Sequence, residues 1–449
     1  MLRDFMRRFA RDRNGNVAII FALSLIPCVF LTGMALDFAS ATQKRVVLNV
    51  AADAAALAAV TPAMMIQQDA AAIQAAQNIF NAEAGAVPGV TSATPTVTIT
   101  DIGLTRTVLV TYTASSTNSF PNVLGYFNHT SQQSWAISGS SQASATVPPN
   151  IDFYLLLDNS PSMALAATTA GIQTMINNTT SQGGCAFACH ETANPTSDPD
   201  NLGNPGKEDN YTLAKNLGVV TRIQNTAAAT QSLMSTATTM ENTTKAAYRM
   251  AIYTFANSGT STVQTLTSSL TTAANSAKTV DVIEVCQNND LVCGTGNNDE
   301  DTDFDSAMSS MNNTSVMPNP GTGAAGSTPQ EVLFIVTDGV EDKQSATCSE
   351  TKTGSRCQQE FDITWCSTVK NRGIRIAILY TEYLPLPATG LGSNTWYNSY
   401  VAPYQTKIGP NLQNCASPGL YFAVTTDQDI SAAMTALFQT AVQTARLTQ

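Results

Sequence analysis

The sequence predicts an α/β protein: a transmembrane helix with a small α+β module, then a doubly wound, mainly parallel sheet. Three observations predict it. The run Val17–Leu36 is apolar, uncharged and long enough to cross a bilayer. Between Thr96 and Thr146 β-branched and polar residues alternate with the period of half-buried strands. Beyond Pro148, short continuous β-rich runs alternate with helical patterns, as in a parallel sheet covered on both faces.

Residues 1–16 hold Arg3, Arg7, Arg8, Arg11 and Arg13 and form a basic tail. Residues 17–36 form the span. Helical rise is ~1.5 Å per residue, so they cover a hydrocarbon core of about 30 Å. Arginines before the span and Asp37 after it place the amino terminus in the cytoplasm and the bulk of the chain outside it. A cleaved signal peptide would have a shorter apolar core, of ~7–15 residues. A prepilin cut after Gly15 would carry glutamate where Ile20 stands.

Composition narrows the function classes. Of 449 residues only 12% are charged, and the net charge is −11. Nucleic acid binding needs lysine and arginine against phosphate, so it is disfavoured. With two histidines, His129 and His190, a histidine-rich zinc site is disfavoured too. Cys28 lies alone in the apolar run, while the other eight cysteines follow residue 180. An even set in one region reads as disulfides in an oxidising compartment. No C-x-x-C pair occurs, and "CAFACH" misses the spacing of haem attachment.

Residues 37–146 open with a helix that can continue the span, with Val47, Val50, Ala54, Leu57 and Ala58 on one stripe expected to face inward. "QQDAAAIQAAQNIFNAEAG" predicts a second helix ending near Gly85. "TVTITDIGL", "RTVLVTYTAS" and "SWAISGSSQASATV" predict strands, and "FPNVLGYFN" a short helix. His129 is read as a surface or packing residue.

This start resembles the TadG-like family of Flp/Tad pilus assembly. The likeness rests on "RNGNVAIIFAL", the span, "LDFA" and "LNVAADAAALAAV". It implies an envelope protein of the bacterial inner membrane, single-pass, with its bulk in the periplasm and a role in assembling adhesive pili.

"TVPPN", Thr146–Asn150, is a proline hinge before the last domain, residues 147–449. Its predicted strands are "FYLLL", "AIYTF", "VLFIV", "IRIAIL" and "YFAV". Helical patterns cover Leu213–Met240, Phe304–Met311, Phe361–Lys370 and Asp429–Arg446. The insertion 164–210 is rich in Gly, Pro, Asn and Asp and is predicted as loop. Cys348, Cys357 and Cys366 are expected to staple the loop after Asp338 to the following helix.

Ligands of such sheets sit beyond the carboxyl ends of the strands. After "LLL" come Asp158, Ser160 and Ser162; after "FIV" come Thr337, Asp338 and Gly339; Thr302 precedes a helix. Two carboxylates with neutral hydroxyls suit a small, hard divalent cation, magnesium-like, with manganese or calcium as alternatives. Such an ion would keep a position open for an incoming carboxylate.

The arrangement resembles the von Willebrand factor type A domain and its metal-ion-dependent adhesion site. Asp158, Ser160 and Ser162 match its D-x-S-x-S, Asp338 its aspartate after the fourth strand, and Thr302 its threonine, although "NNDED" replaces the usual glycines before it. The resemblance implies metal ligation by Asp158, Ser160, Ser162, Thr302 and Asp338. It also implies a non-enzymatic role: binding a protein of the pilus machinery or envelope, whose carboxylate completes the metal shell. A surface adhesin contacting another cell is the alternative. Enzymes fit less well. A haloacid-dehalogenase-type phosphatase needs a second aspartate where Ser160 stands. A Ser–His–Asp hydrolase needs a histidine base, and the domain offers only His190.

Overall fold

The computed structural model describes residues 15–120, 134–180, 183, 184, 186, 209–283, 302–324, 326–345, 347–350, 352, 356–383, 397–425 and 428–445. The basic tail up to residue 14, the "FPNVLGYFN" segment beyond Phe120, His129, His190, Cys185, Cys189, Cys286, Cys293 and "NNDED" lie outside them. The chain divides into two compact units, Met1–Val147 and Pro148–Gln449.

In the first unit one helix, α1 (Gly15–Ala59), runs without a break through Pro27. Ile19–Ala59 is the one helix among the described residues long and apolar enough to cross a membrane. Its early turns leave Ile19, Ile20, Phe21, Leu23 and Ile26 exposed, an all-round apolar surface that lipid accommodates. Asp37 closes this stretch, accepting hydrogen bonds from the backbone N–H groups of Ser119 (2.7 Å) and Phe120 (3.1 Å).

Beyond it α1 packs on α2 (Asp69–Gly85) and on an antiparallel sheet of β1 (Val90–Ile102), β2 (Thr105–Thr117) and β3 (Ser134–Thr146). The stripe expected to face inward is corrected. Val47, Val50 and Leu57 are exposed, and the buried face is Leu48, Ala51, Ala52, Ala55, Ala56 and Ala59. Alanine's small side chain lets the helix backbone approach the sheet closely, which longer side chains at these places would prevent.

In the second unit six strands stand in the order β11-β10-β7-β4-β5-β6. These are β4 (Ile151–Asp158), β5 (Tyr248–Phe255), β6 (Thr260–Thr267), β7 (Gln330–Thr337), β10 (Arg375–Glu382) and β11 (Tyr421–Thr425). All neighbours are parallel except β5 and β6. β4 and β7 are buried at every position, as a sheet with helices on both faces requires. The strand β6 was not predicted: "TSTVQTLT" is polar, and it lies at the sheet edge.

The helices are α3 (Thr169–Asn178), α4 (Asn210–Asn216), α5 (Arg222–Thr244), α6 (Leu270–Ala277), α7 (Phe304–Met311), α8 (Thr364–Asn371), α9 (Gln405–Cys415) and α10 (Ile430–Thr444). One apolar layer joins α5, α6 and α10 to one face of the sheet; the other joins α7, α8 and α9 to the opposite face.

Three further expectations are corrected. The pattern Leu213–Met240 is two helices, parted at Gly218, whose φ of +72° suits glycine. The insertion 164–210 is not all loop: it contains α3, capped by Thr168, whose hydroxyl accepts the N–H of Gly171. The cysteines pair differently. Cys348–Cys357 closes the hairpin of β8 (Val340–Gln344) and β9 (Arg356–Glu360), and Cys366–Cys415 ties α8 to α9.

Candidate cation site at the carboxyl edge of the sheet

From β4 the chain moves to one side of the sheet, through β5 and β6, and then to the other, through β7, β10 and β11. Loops after β4 and β7 therefore diverge at the switch point, where open α/β sheets bind ligands. β4 ends in Asp158 there, and β7 ends in Thr337 just before Asp338.

Asp158 is fully buried and held from two strands. Its Oδ1 accepts from the N–H (3.0 Å) and hydroxyl (2.6 Å) of Ser160; its Oδ2 accepts from the Thr337 hydroxyl at 2.6 Å. Ser160 Oγ lies 3.0 Å from Ser162 Oγ. Ser162 stands in a 3-10 turn, Pro161–Ala164. Asp158 and Ser160 therefore do more than cap a helix, since Ser160 makes no side-chain cap bond to that turn.

Asp338 is also fully buried. Its Oδ1 accepts the N–H of Val340 at 3.2 Å; its Oδ2 accepts from the hydroxyl of Tyr383 (2.8 Å) and from Nη1 of Arg222 (3.2 Å). The turn after Asp338 needs glycine: Gly339 has a φ of +76°, and a Cβ there would stand 2.4 Å from Ile408.

Arg222 opens α5, its guanidinium 4.2 Å over the ring of Tyr383. An antiparallel bridge delivers it. Ala166 pairs with Thr221, Ala167 donates its N–H to the Val220 carbonyl (2.8 Å), and Arg222 donates its own to that of Leu165 (3.0 Å).

Thr302 is buried and reaches the same edge through its backbone. It exchanges two hydrogen bonds with Asp342, at 3.0 and 2.9 Å, while Asp303 donates its N–H to the Ala256 carbonyl beyond β5. Asp303, not Thr302, caps α7. The structure thus joins Asp158, Ser160 and Ser162 by hydrogen bonds, and brings Thr302 to the segment that follows Asp338.

Electrostatics couple the two carboxylates. Burial first, then the charge of Asp338, push Asp158 up to about 7, against the hydrogen bonds from Ser160 and Thr337. Burial and the same charge hold the Tyr383 hydroxyl well above its ordinary value, so it stays a donor. The donors fit a small, hard divalent ion: two hydroxyls side by side, fixed by a buried carboxylate. The guanidinium already on Asp338 shows that this edge draws positive charge.

Sequence reasoning missed Arg222, Tyr383 and the role of Thr337. Arg222 gave no signal, because the continuous helical pattern Leu213–Met240 places it away from a first turn, where a cation opposes the macrodipole.

A second acidic group, Asp303, Asp305 and Glu341, gathers its oxygens within 4.8 Å of one another. Lys343 already fills it, with its ammonium 2.8 Å from Glu341, 3.5 Å from Asp303 and bonded to Asp305.

Residues 15–78 match the family model described as putative Flp pilus-assembly TadE/G-like. No curated protein matches the chain. Solved structures similar to it include the vWF domain of the type V pili tip protein Mfa5 from Porphyromonas gingivalis, with 10% identity over 66% of this chain and 96% of that one (TM-score 0.35). The SpRpn10 VWA domain has 8% identity over 65% and 94% (TM-score 0.30). The pilus adhesin RrgA from Streptococcus pneumoniae has 12% identity over 79% and 50% (TM-score 0.31). The chain thus joins a segment similar to the TadE/G-like proteins of Flp pilus assembly, at residues 15–78, to a carboxyl-terminal α/β domain with a doubly wound, mainly parallel sheet.

Proposed function

We propose that this chain is a non-enzymatic, membrane-anchored component of Flp-type pilus assembly, and that its carboxyl-terminal domain binds a protein partner through a divalent cation. Ser160, Ser162 and Thr302 would offer hydroxyls to the ion, with Asp158 and Asp338 supplying the negative charge. Magnesium fits this donor set best. When bound, the ion would supply a positive charge to which a partner's carboxylate could add. The chain's own residues do the preparation: Thr337 and the Ser160 N–H orient Asp158, and Asp158 in turn fixes the Ser160 hydroxyl beside Ser162.

The observation that carries this reading is the relay Thr337–Asp158–Ser160–Ser162, buried at its carboxylate and placed at the switch point of the sheet. Three donors offset the cost of burying this carboxylate, and one of them, the Ser160 hydroxyl, is thereby held beside that of Ser162. Membrane anchoring rests on the apolar length of α1 and on the family match of residues 15–78. A periplasmic location for the second unit is supported by the two disulfides among its described residues.

The test uses the full chain in detergent. Wild-type protein should take up Mn2+ in an isothermal titration, and Asp158→Ala should lose that uptake by tenfold or more while its far-UV circular dichroism is unchanged, on the order of a lost charged ligand. The same substitution should abolish piliation when it replaces the chromosomal copy. Equal Mn2+ affinity in the two proteins would remove the cation from the account.

A further inference from the structure

We propose that Arg222 competes with the cation for Asp338, so that the site is a weak, exchangeable one in which a guanidinium and a divalent ion take turns on one carboxylate. This deepens the cation reading above and rests on it.

Asp338 leaves little room for an additional partner. Its Oδ1 accepts the Val340 N–H, and its Oδ2 is shared by Tyr383 and Arg222. Arg222 and Asp338 are both buried, with side chains 3% and 0% exposed. Their charges therefore act through protein rather than water. An ion brought to the same carboxylate would face the guanidinium at close range with little screening.

The hold of Arg222 is of an exchangeable kind. It reaches Asp338 through Nη1 alone, at 3.2 Å, rather than through the two parallel bonds of a fork. Its buried Nε has no hydrogen-bond partner among the described residues. Beneath it lies the ring of Tyr383, a surface along which a planar guanidinium can shift while keeping its stacking. The Arg222 backbone, by contrast, is fixed to Leu165. Motion is therefore left to the side chain.

Charge counting gives the same direction. Asp158, Asp338 and Arg222 together carry one net negative charge when all are ionised. Removing the guanidinium would leave two negative charges for the ion. A merely structural arginine would act the opposite way: its loss would loosen the site and weaken the ion.

The experiment compares wild type, Arg222→Gln, Arg222→Lys and Asp158→Ala as full chains in detergent, by isothermal titration with Mn2+ and by thermal unfolding with and without Mn2+. Arg222→Gln should bind Mn2+ on the order of tenfold more tightly, the scale of a coupling between two ligands. It should unfold at a lower temperature without the ion and gain more from adding it. Arg222→Lys, which keeps the charge but loses the planar stacking, should fall between it and wild type. If Arg222→Gln fails to fold, a tighter Mn2+ affinity in Arg222→Lys than in wild type carries the proposal. Equal or weaker affinity in the folded Arg222 variants, with wild type binding and Asp158→Ala not, would overturn the competition alone. No Mn2+ binding in any protein would overturn the cation reading and the competition with it.

Discussion

Glu331 faces Asp152 across the register of β7 and β4, at the amino end of the sheet. It is 1% exposed, and its Oε2 has no hydrogen-bond partner among the described residues. Arg249 pairs with Asp152 instead, at 2.5 Å. Burial, then the Asp152 charge, push Glu331 up to about 8, with Arg372 and Arg249 opposing. A carboxyl raised in the folded state binds more protons there than in the unfolded chain. The contribution of Glu331 to stability is therefore full below the unfolded value and is lost as pH rises through about 8. Glu331→Gln should flatten that fall and stabilise the protein by ~1–3 kcal/mol in alkaline buffer, the scale of relieving an unpaired buried polar group. Urea titrations of both proteins across this window check it; parallel curves would assign the slope to other groups. At this scale legibility follows distance along the chain. Asp158, Ser160 and Ser162 sit within five positions at the end of an apolar run and could be read together. The partners of the two carboxylates, Thr337, Arg222 and Tyr383, come from far along the chain, and no local pattern pairs them.

The elements tell a similar story. Buried strands such as "FYLLL" and "VLFIV" announce themselves because both their faces are covered. The edge strand β6 does not, since polar residues suffice where one side meets water, and the hairpin β8–β9 does not because its buried positions hold polar residues, Glu341, Asp342, Arg356 and Gln358. The α1 stripe was misread for a related reason. Valine and leucine weigh more than alanine in an apolar pattern, yet close packing on a sheet selects the smallest side chain. Covalent pairing was only partly legible, because spacing cannot choose among connectivities. The bridge Cys366–Cys415 links α8 and α9 across 49 residues, beside the loop that follows Asp338. Replacing both cysteines with serine should cost ~2–4 kcal/mol, measured as a lower urea midpoint. An unchanged midpoint would mean that packing alone holds α9 in place.

For the molecule as a whole, there are two units with separate cores, and one long helix opens the first and contributes to its core. The change of rhythm from three-to-four to two, the Pro148–Pro149 hinge and the later strand–helix alternation make this order of elements legible in the sequence. Cys28 gives it a test. It is unpaired and lies in the apolar part of α1. In intact membranes a membrane-impermeant maleimide should label wild type and Cys28→Ser equally, and detergent should open a difference between them. A difference already present in intact membranes would place residue 28 in water. One further property of the fold reaches beyond any single residue. The bridge between Ala166 and Thr221 brings together two points of the chain that lie far apart in sequence, between the cation edge and α5. Ring-closure entropy grows only with the logarithm of contour length. The length of chain closed by that bridge can therefore vary at small entropic cost while its two ends stay fixed beside the sheet.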